Sequence, residues 1–279
     1  MPDLEVRPYS TAVGAEVLGV DLSQPLDNAT WAAIQDAFHK HLVLFFRDQD
    51  LTPEEQIAFS RHFGDLEDYP YVHGIDGHPE LIEIVKTPDE VRNFGHDWHA
   101  DMTFREQPPL GAVLYAIEIP PVGGDTLFAN MYLAWETLSD GMKAMLSQVR
   151  GLHDSSDPSY HSQNFAGMSM REKEGGKRQV TAHPFSQVHP VTGRTSLMIS
   201  PSYCFEIEGM TPDESRMILE HLKAHATQDI FSCRFRWKPG SVVVWDNRCL
   251  MHQALEDDLG AMFGGQGFRR VMRRATIRN

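Results

Sequence analysis

Two residues in one short segment have the types and spacing of a metal site. His99 and Asp101 stand two positions apart in Trp98-His99-Ala100-Asp101. In an extended strand, side chains two apart lie on the same face, so an imidazole nitrogen and a carboxylate oxygen could approach one ion. The pair alone is a weak signal, because a chain with 14 histidines can contain His-x-Asp by chance. An ordinary hydrogen-bonded His–Asp pair is the alternative.

A third ligand would make the signal specific, and His252 is in a suitable place. It follows an apolar strand at 242–245 and a polar turn, which could bring it across to His99. Two histidines and one carboxylate leave three coordination positions open, which is typical of non-haem iron(II) sites. The residues by themselves leave open a buried structural role for His252.

Other histidines compete for a metal. His221 and His225 lie four apart on a predicted helix, which is ligand spacing for zinc, but Leu222 stands where a metalloprotease needs its glutamate. We therefore expect a solvated helix face there. His183 and His189 have no nearby carboxylate in the sequence, and we expect them to be structural.

The last predicted strand is rich in arginine. With a period of two, Arg270 and Arg274 share one face, while Arg269 and Arg273 share the other. Guanidinium groups on a half-buried face need anions, and the planar fork of arginine binds carboxylates in a bidentate manner. The strand therefore predicts a local anion site, with internal salt bridges as the alternative.

The composition restricts the partners. There are 25 basic and 39 acidic residues, a net charge of −14, so the general surface should repel nucleic acid and anionic membranes. An odd count of three cysteines argues against a disulfide framework. No segment has the length and apolarity of a membrane span or the pattern of a signal peptide. We expect a soluble cytoplasmic protein that forms a homo-oligomer.

Periodicity places the chemistry on a mainly β framework. Helices are predicted from residues 28, 53, 131 and 211, and strands at 4–20, 42–46, 81–86, 110–119, 125–129, 179–188, 195–200, 230–237, 241–245 and 268–277. There is no regular βαβ alternation and no glycine-rich phosphate fingerprint. This pattern favours a double-sheet β-fold with flanking helices, in a single domain over 1–279. Polar stretches near 64–98 and 153–178 are expected to be lid-like loops.

Four separated motifs occur in an order that resembles one known family. They are Trp98-His99-Ala100-Asp101-Met102-Thr103-Phe104, Gly123-Gly124-Asp125-Thr126, Trp245-Asp246-Asn247-Arg248 before His252, and the arginine-rich run at 269–276. Together they look like the taurine/α-ketoglutarate dioxygenase family, the TauD/TfdA group, and the similarity covers nearly the whole chain.

The resemblance implies a fold and a reaction. The fold would be a double-stranded β-helix, or jelly roll. Iron(II), α-ketoglutarate and O2 would be the cofactor and cosubstrates, giving succinate, carbon dioxide and a hydroxylated product. By the same resemblance, the iron ligands would be His99, Asp101 and His252. Thr126 and Arg270 would bind the distal carboxylate of α-ketoglutarate. Arg274 would bind an anionic group of the substrate.

Departures from the taurine enzymes concern the substrate. Gly95 stands where they have an asparagine, and Tyr69 stands where they have a histidine, so the local pattern is closer to aryloxyalkanoate dioxygenases. Tyr203 is a further expected substrate contact. A glycine-rich stretch at 254–268 is longer than we expect for the taurine enzymes.

The expected substrate is a small anionic organic molecule, namely a carboxylate, sulfonate or sulfate ester, with taurine a poor one. Hydroxylation at a carbon that carries oxygen, sulfur or nitrogen would cleave that bond. A metal-dependent hydrolase and a non-catalytic jelly-roll binding protein are the alternatives.

Overall fold

The computed structural model describes residues 4–155, 167–170 and 178–279. The strands are β1 (Glu5–Pro8), β2 (Ala15–Leu18), β3 (Val43–Phe46), β4 (Leu66–Glu67), β5 (Leu81–Lys86), β6 (Gly111–Glu118), β7 (Thr126–Asn130), β8 (Arg150–Asp154), β9 (Val180–Pro184), β10 (Ser186–Val188), β11 (Thr195–Leu197), β12 (Cys204–Ile207), β13 (Ser232–Phe235), β14 (Val242–Asp246), β15 (Leu250–Ala254) and β16 (Arg270–Ile277). The helices are α1 (Asn28–His41), α2 (Pro53–Arg61), α3 (Met131–Glu136), α4 (Asp140–Leu146), α5 (Pro212–Ala226) and α6 (Leu259–Met262), with a 3-10 turn at Asp229–Phe231.

Two sheets face each other across the main core. The larger one has the order β1-β2-β3-β14-β6-β16-β4, with β5 also paired to β16, and the smaller one has the order β13-β7-β15. Phe45 of the larger sheet stacks on Phe235 of the smaller one, with 4.2 Å between ring centroids. Met272 and Phe128 belong to the same buried cluster. Two sheets around one core agree with the predicted jelly roll.

Helices cover the outer faces of both sheets. Leu44 and Phe46 point away from Phe45, as strand alternation requires, and pack against Ile34 and Phe38 of α1. On the other side, α3 packs against β15 of the smaller sheet, and α5 packs against β12 and α3. Both α2 and α5 begin with proline at the first turn and a complete capping box, Thr52 with Glu55 and Thr211 with Glu214, as the sequence predicts.

Four strands lie outside the predicted ones, namely β4, β8, β12 and β15. β8 and β12 pair with each other, and β8 also pairs with β9, in a three-stranded sheet. The segment Arg150–Asp154 contains glycine, histidine and aspartate and lacks the alternation of a typical strand. Tertiary contacts therefore decide its conformation. His153 within the strand is fully buried, and so is Phe185, which follows β9.

The first of the two expected lid-like loops contains regular structure. The stretch 64–98 contains β4 and β5, and Tyr69 within it is buried. Most of 153–178 lies outside the described residues. In the described ranges, no helix has the length and apolarity needed to cross a membrane.

Candidate active site

The structure brings together the three residues that the sequence singled out for a metal. The Nε2 atom of His99 lies 3.7 Å from Oδ1 of Asp101, and Nε2 of His252 lies 3.9 Å from the same oxygen. All three side chains are buried, and their potential ligand atoms lie within 4.8 Å of one another. Two imidazoles and one carboxylate at this separation could hold a single divalent ion.

The backbone around the site differs from the prediction that His99 and Asp101 share one strand. His252 lies on β15, and its backbone exchanges two hydrogen bonds with His99, of 3.0 and 2.8 Å between nitrogen and oxygen. Asp101 lies beyond this bridge in a turn, where Met102 has a positive φ of 46°. The prediction of a shared strand face is therefore wrong, although the two side chains still converge.

Protonation favours metal binding at neutral pH. The Nδ1 atom of His99 donates to the carbonyl oxygen of Asp97 at 2.7 Å, which leaves Nε2 with its lone pair. Burial lowers the pKa of His99 and holds the pKa of His252 well below its ordinary value, so both imidazoles are neutral. Burial would raise the pKa of Asp101, but Arg274 and the two histidines lower it to about 2.

One cavity contains most of the predicted site. It is lined by Gly95, His99, Thr126, His252, Arg270 and Arg274, together with the apolar side chains of Ile84, Phe94, Leu114, Phe128, Trp245 and Ala254. Predicted site residues from four separate segments of the sequence therefore line one common space.

Arg270 is a buried cation without a carboxylate partner in the part of the chain that the structure describes. Its residue is 4% exposed, and its Nε atom has no hydrogen-bond partner there. Asp125, which follows Gly123-Gly124, pairs with Arg234 instead. Nε of Arg234 lies 2.6 Å from Oδ2 of Asp125. Burial lowers the pKa of Arg270 to about 10, which still leaves it charged at neutral pH. An isolated buried guanidinium of this kind fits an anionic ligand.

Thr126 lies next to this cation on β7. Its hydroxyl oxygen accepts a hydrogen bond of 2.9 Å from the indole nitrogen of Trp237, so the hydroxyl proton is free to be donated elsewhere. The Trp237 ring also lies 5.7 Å from the Arg270 guanidinium carbon. Trp237 was not among the predicted site residues, because 111 residues separate it from Thr126 and no local spacing links them.

Arg274 already has an acidic neighbour within the protein. Its Nη2 atom lies 2.8 Å from Oδ2 of Asp101, so the alternative of an internal salt bridge applies to this arginine. Its Nε atom has no hydrogen-bond partner among the described residues. The rings of Tyr69 and Trp245 lie on it, each with its centroid 5.5 Å from the guanidinium carbon. Arg274 thus lies between the predicted metal ligand and the cavity.

The remaining predicted substrate contacts lie around these groups. Gly95 has a φ of 78°, and a Cβ there would lie 3.0 Å from Cε1 of His99, so a larger residue would press on the imidazole. Tyr69 is buried against Arg274. Tyr203 packs edge-on against Phe104, with 5.2 Å between centroids, and is not among the described residues that line the cavity.

The other histidines make contacts within the protein. His221 is exposed, whereas Nε2 of His225 donates to the carbonyl oxygen of Ala134 at 2.8 Å and fixes α5 to α3. The prediction of a fully solvated helix face is therefore wrong for His225. His189 is buried and donates to Asp246 at 3.0 Å.

Comparisons with known proteins agree with this geometry. The model of the family described as "Taurine catabolism dioxygenase TauD, TfdA family" matches residues 5–276. An (S)-phenoxypropionate/alpha-ketoglutarate-dioxygenase of Sphingobium herbicidovorans is 34% identical over 92% of this chain and 91% of its own. An alpha-ketoglutarate-dependent sulfate ester dioxygenase of Pseudomonas putida is 31% identical over 99% and 89%.

A solved structure shows the same similarity in three dimensions. The crystal structure of a taurine dioxygenase from Burkholderia xenovorans superposes with a TM-score of 0.84 at 38% identity, and covers 100% of this chain and 90% of that one. This match confirms the predicted jelly-roll fold. The similarities support a dioxygenase and not the hydrolase or the binding protein. The chain belongs to the TauD/TfdA family of iron(II)- and α-ketoglutarate-dependent dioxygenases.

Proposed function

We propose that this enzyme hydroxylates a C–H bond of a small anionic organic substrate, with His99, Asp101 and His252 as its iron ligands. The observation that carries the proposal is that both histidines of the two-histidine, one-carboxylate cluster line the same cavity as a buried arginine that has no ion-pair partner among the described residues. A metal alone would not require such a cation. An iron site that also binds a dicarboxylate would require a cation to pair with the second carboxylate.

The donor set fits iron(II) on its own chemistry. Neutral imidazole nitrogens and an ionised carboxylate are the ligands of facial non-haem iron sites. Asp101 can offer Oδ1 toward the two histidines while Oδ2 stays with Arg274. Bound iron(II) supplies the activation of O2 that is coupled to conversion of α-ketoglutarate to succinate and carbon dioxide.

The chain itself would bind and orient the two organic substrates. Arg270 and Thr126 would hold the distal carboxylate of α-ketoglutarate, one by a charged fork and the other by its hydroxyl proton. Arg274 would meet the anionic group of the prime substrate through the donors that Asp101 does not use. The apolar wall of the cavity would exclude water from the reacting carbon.

The substrate class follows from the surroundings of Arg274. Tyr69 beside it, with Tyr203 nearby, favours an apolar or aromatic body on a carboxylate, sulfonate or sulfate ester. The names of the relatives, which include a phenoxypropionate and a sulfate ester dioxygenase, support this range. Taurine should be a poor substrate, because Gly95 and Tyr69 provide neither an asparagine nor a histidine for its charged groups.

Other parts of the expectation stay predictions. These are one domain over 1–279, lid-like closure by the loops near 64–98 and 153–178, a cytoplasmic location and a homo-oligomer. Three free cysteines, all buried in the described ranges, support the reducing compartment. Sedimentation velocity would measure the subunit count.

The reaction class is tested by O2 uptake and succinate release with iron(II), α-ketoglutarate and a panel of organic acids. We expect turnover by the wild type and none by His99→Ala, Asp101→Ala or His252→Ala, each with an intact fold by circular dichroism. His221→Ala is the matched control, because that histidine is exposed on α5. Full activity in any ligand variant would remove that residue from the iron site.

The substrate class has its own test. Aryloxyalkanoates, alkyl sulfates, alkyl sulfonates and taurine are compared at equal concentration by succinate release. We expect taurine to be among the slowest. Taurine turnover as fast as that of every other acid would contradict the role given to Gly95 and Tyr69.

A further inference from the structure

The segment that carries two of the proposed iron ligands is held in an unusual way. His99, Ala100 and Asp101 are consecutive, and each has both its backbone N–H and its backbone carbonyl bonded to a single partner. For His99 the partner is the backbone of His252, which is a normal antiparallel bridge. For the next two residues the partner is a side chain.

Ser200 is the partner of Ala100. Its hydroxyl oxygen accepts from the Ala100 N–H at 3.1 Å and donates to the Ala100 carbonyl oxygen at 3.2 Å. Asn247 is the partner of Asp101. Its Oδ1 atom accepts from the Asp101 N–H at 2.6 Å, and its Nδ2 atom donates to the Asp101 carbonyl oxygen at 3.0 Å.

These contacts replace a neighbouring strand. A carboxamide has the same donor and acceptor as a peptide group, so one asparagine can satisfy both backbone groups of a residue. Aspartate would lack the donor, and an apolar residue would lack both groups. Asn247 also donates to the carbonyl oxygen of Pro109 at 3.1 Å and is 4% exposed, so nearly all of its hydrogen-bonding capacity is used here.

The turn that presents Asn247 is itself fixed. The neighbouring carboxylate of Asp246 is buried and is bonded by His189 at 3.0 Å and by Arg248 at 2.8 and 2.6 Å. The backbone N–H of Asn247 donates to the carbonyl oxygen of Leu110. Asn247 is therefore a rigid support for the backbone of a residue that lies in no strand.

We propose that Asn247 and Ser200 are positioning residues that set the carboxylate of Asp101 against the two histidines. This inference rests on the proposed iron site. A metal site depends on groups that orient its ligands, and loss of such a group typically weakens metal binding about 10–100-fold. Asn247 acts on the ligand itself and Ser200 on the residue before it, so loss of Asn247 has the larger effect.

The test measures metal binding apart from turnover. The metal-free enzyme is titrated with Co(II), and both the dissociation constant and the visible absorption of bound Co(II) are recorded for the wild type, Asn247→Ala, Asn247→Asp and Ser200→Ala. The thermal midpoint of each metal-free protein is measured separately. Asn247→Asp still accepts from the Asp101 N–H but loses both donated bonds, and it serves if Asn247→Ala does not fold.

Asn130→Ala is the matched control. Asn130 is also 4% exposed and also makes three hydrogen bonds, to Ala12, Tyr132 and Leu133, none of them with 99–101. We expect both alanine variants to lose thermal stability, and only Asn247→Ala to weaken Co(II) binding, about 10–100-fold, with an altered absorption spectrum.

The two ways of failing are distinct. Unchanged Co(II) affinity and spectrum in both Asn247 variants, together with weak binding by Asp101→Ala, would overturn the positioning role alone. Equal Co(II) affinity in the wild type and in Asp101→Ala would overturn the iron site and this inference with it.

Discussion

The two oxygens of Asp101 face different partners. Oδ1 is directed toward the histidines, and Oδ2 lies 2.8 Å from Arg274. Arg270, on the same face of β16, has no such carboxylate among the described residues. The two arginines therefore differ in environment even though strand periodicity makes them equivalent. This difference allows their roles to be separated.

Arg270→Ala should raise the KM for α-ketoglutarate sharply. Loss of a charged hydrogen bond costs about 1.5–3 kcal/mol, which corresponds to roughly 10–150-fold. Arg274→Ala should raise the KM for the prime substrate instead and leave that for α-ketoglutarate much closer to the wild-type value. Steady-state kinetics with each substrate varied in turn would measure both effects. If both variants lost only α-ketoglutarate affinity, the assignment of Arg274 would be wrong.

His153 shows how burial of one residue makes stability depend on pH. Its Nδ1 atom is 2.8 Å from the hydroxyl oxygen of Thr103, and its Nε2 atom has no hydrogen-bond partner in the described segments. Burial, with His183 nearby, lowers the pKa of His153 to about 3. Between the ordinary value of about 6.5 and pH 3, the unfolded chain takes up a proton that the folded chain does not.

The folded state should therefore lose about 1.4 kcal/mol per pH unit through His153 as the pH falls below about 6.5. His153→Asn retains a polar atom near the position of Nδ1 but has no imidazole to protonate. As the pH falls, its free energy of unfolding should therefore decrease less steeply than that of the wild type, by about 1.4 kcal/mol per pH unit. Urea unfolding between pH 7 and pH 5 measures the slopes. His221→Asn, at an exposed position, should keep the wild-type slope, and a wild-type slope in His153→Asn as well would refute the prediction.

At the scale of elements, the start of a helix and the faces of a strand depend on neighbouring residues and could be predicted from the sequence. The capping box at Thr52 fixes the start of α2, and alternation along β16 separates Arg270 from Arg273, which bonds Gln56 at 2.6 Å on the opposite face. Both patterns lie within a few residues of the chain. The ends of these elements and the faces they present could therefore be derived from the sequence.

Contacts between distant segments explain the failures. An extended 99–101 segment would have put His99 and Asp101 on one face, but Asp101 is held in a turn by Asn247, which lies 146 residues away and whose side chain takes the place of a neighbouring strand. β8 forms because β9 and β12 flank it, although its own residues give no strand pattern. Such pairings depend on the whole fold, and a single sequence without its relatives does not reveal them.

The glycine-rich stretch beside the site is attached by one buried ion pair. Nζ of Lys86, at the end of β5, lies 2.6 Å from Oδ2 of Asp258, and the two side chains are 4% and 3% exposed. Asp258 also accepts from the N–H groups of Ala261 and Phe268. The pair thus connects β5 to the start of α6 and to the segment just before β16. Phe263, which directly follows α6, is 83% exposed.

Asp258→Asn should destabilise the fold by about 3–5 kcal/mol, because it leaves the Lys86 ammonium buried without its counter-ion. The double variant Lys86→Met, Asp258→Asn should recover part of that loss, since the charge is then removed as well. Urea unfolding would measure both. Glu5→Gln, in the exposed pair with Arg7, is the control and should change little. Equal losses in the single and double variants would show that the charge is not the cause.

The whole molecule separates its charges by depth. The net charge is −14, yet Arg270, Arg273 and Arg274 are all buried in β16. A net charge of this sign would disfavour nucleic acid and anionic surfaces, whereas a buried guanidinium without a carboxylate partner among the described residues would attract an anion that bulk salt screens weakly. We therefore expect the enzyme to bind small anions that can enter the cavity and not polyanions.

The cavity is built from both sheets. His252 and Thr126 come from the smaller sheet, and Arg270 and Arg274 come from the larger one. Asp101, next to Arg274, comes from the loop between β5 and β6. A metal and α-ketoglutarate bound there would connect elements that the unfolded chain holds apart. At 100 times the dissociation constant, a ligand specific for the folded state adds about 2.7 kcal/mol. For a domain of this size, that corresponds to a rise in Tm of roughly 5 °C.

Thermal unfolding without O2 would measure this rise, with Mn(II) alone and with Mn(II) plus α-ketoglutarate. We expect a first increase from the metal and a second from α-ketoglutarate. Asp101→Ala should lose the first increase, because it removes a ligand, and the second with it. Arg270→Ala should keep the first and lose most of the second, because only the carboxylate contact is gone. An α-ketoglutarate increment of wild-type size in Arg270→Ala would show that this buried cation does not hold the cosubstrate.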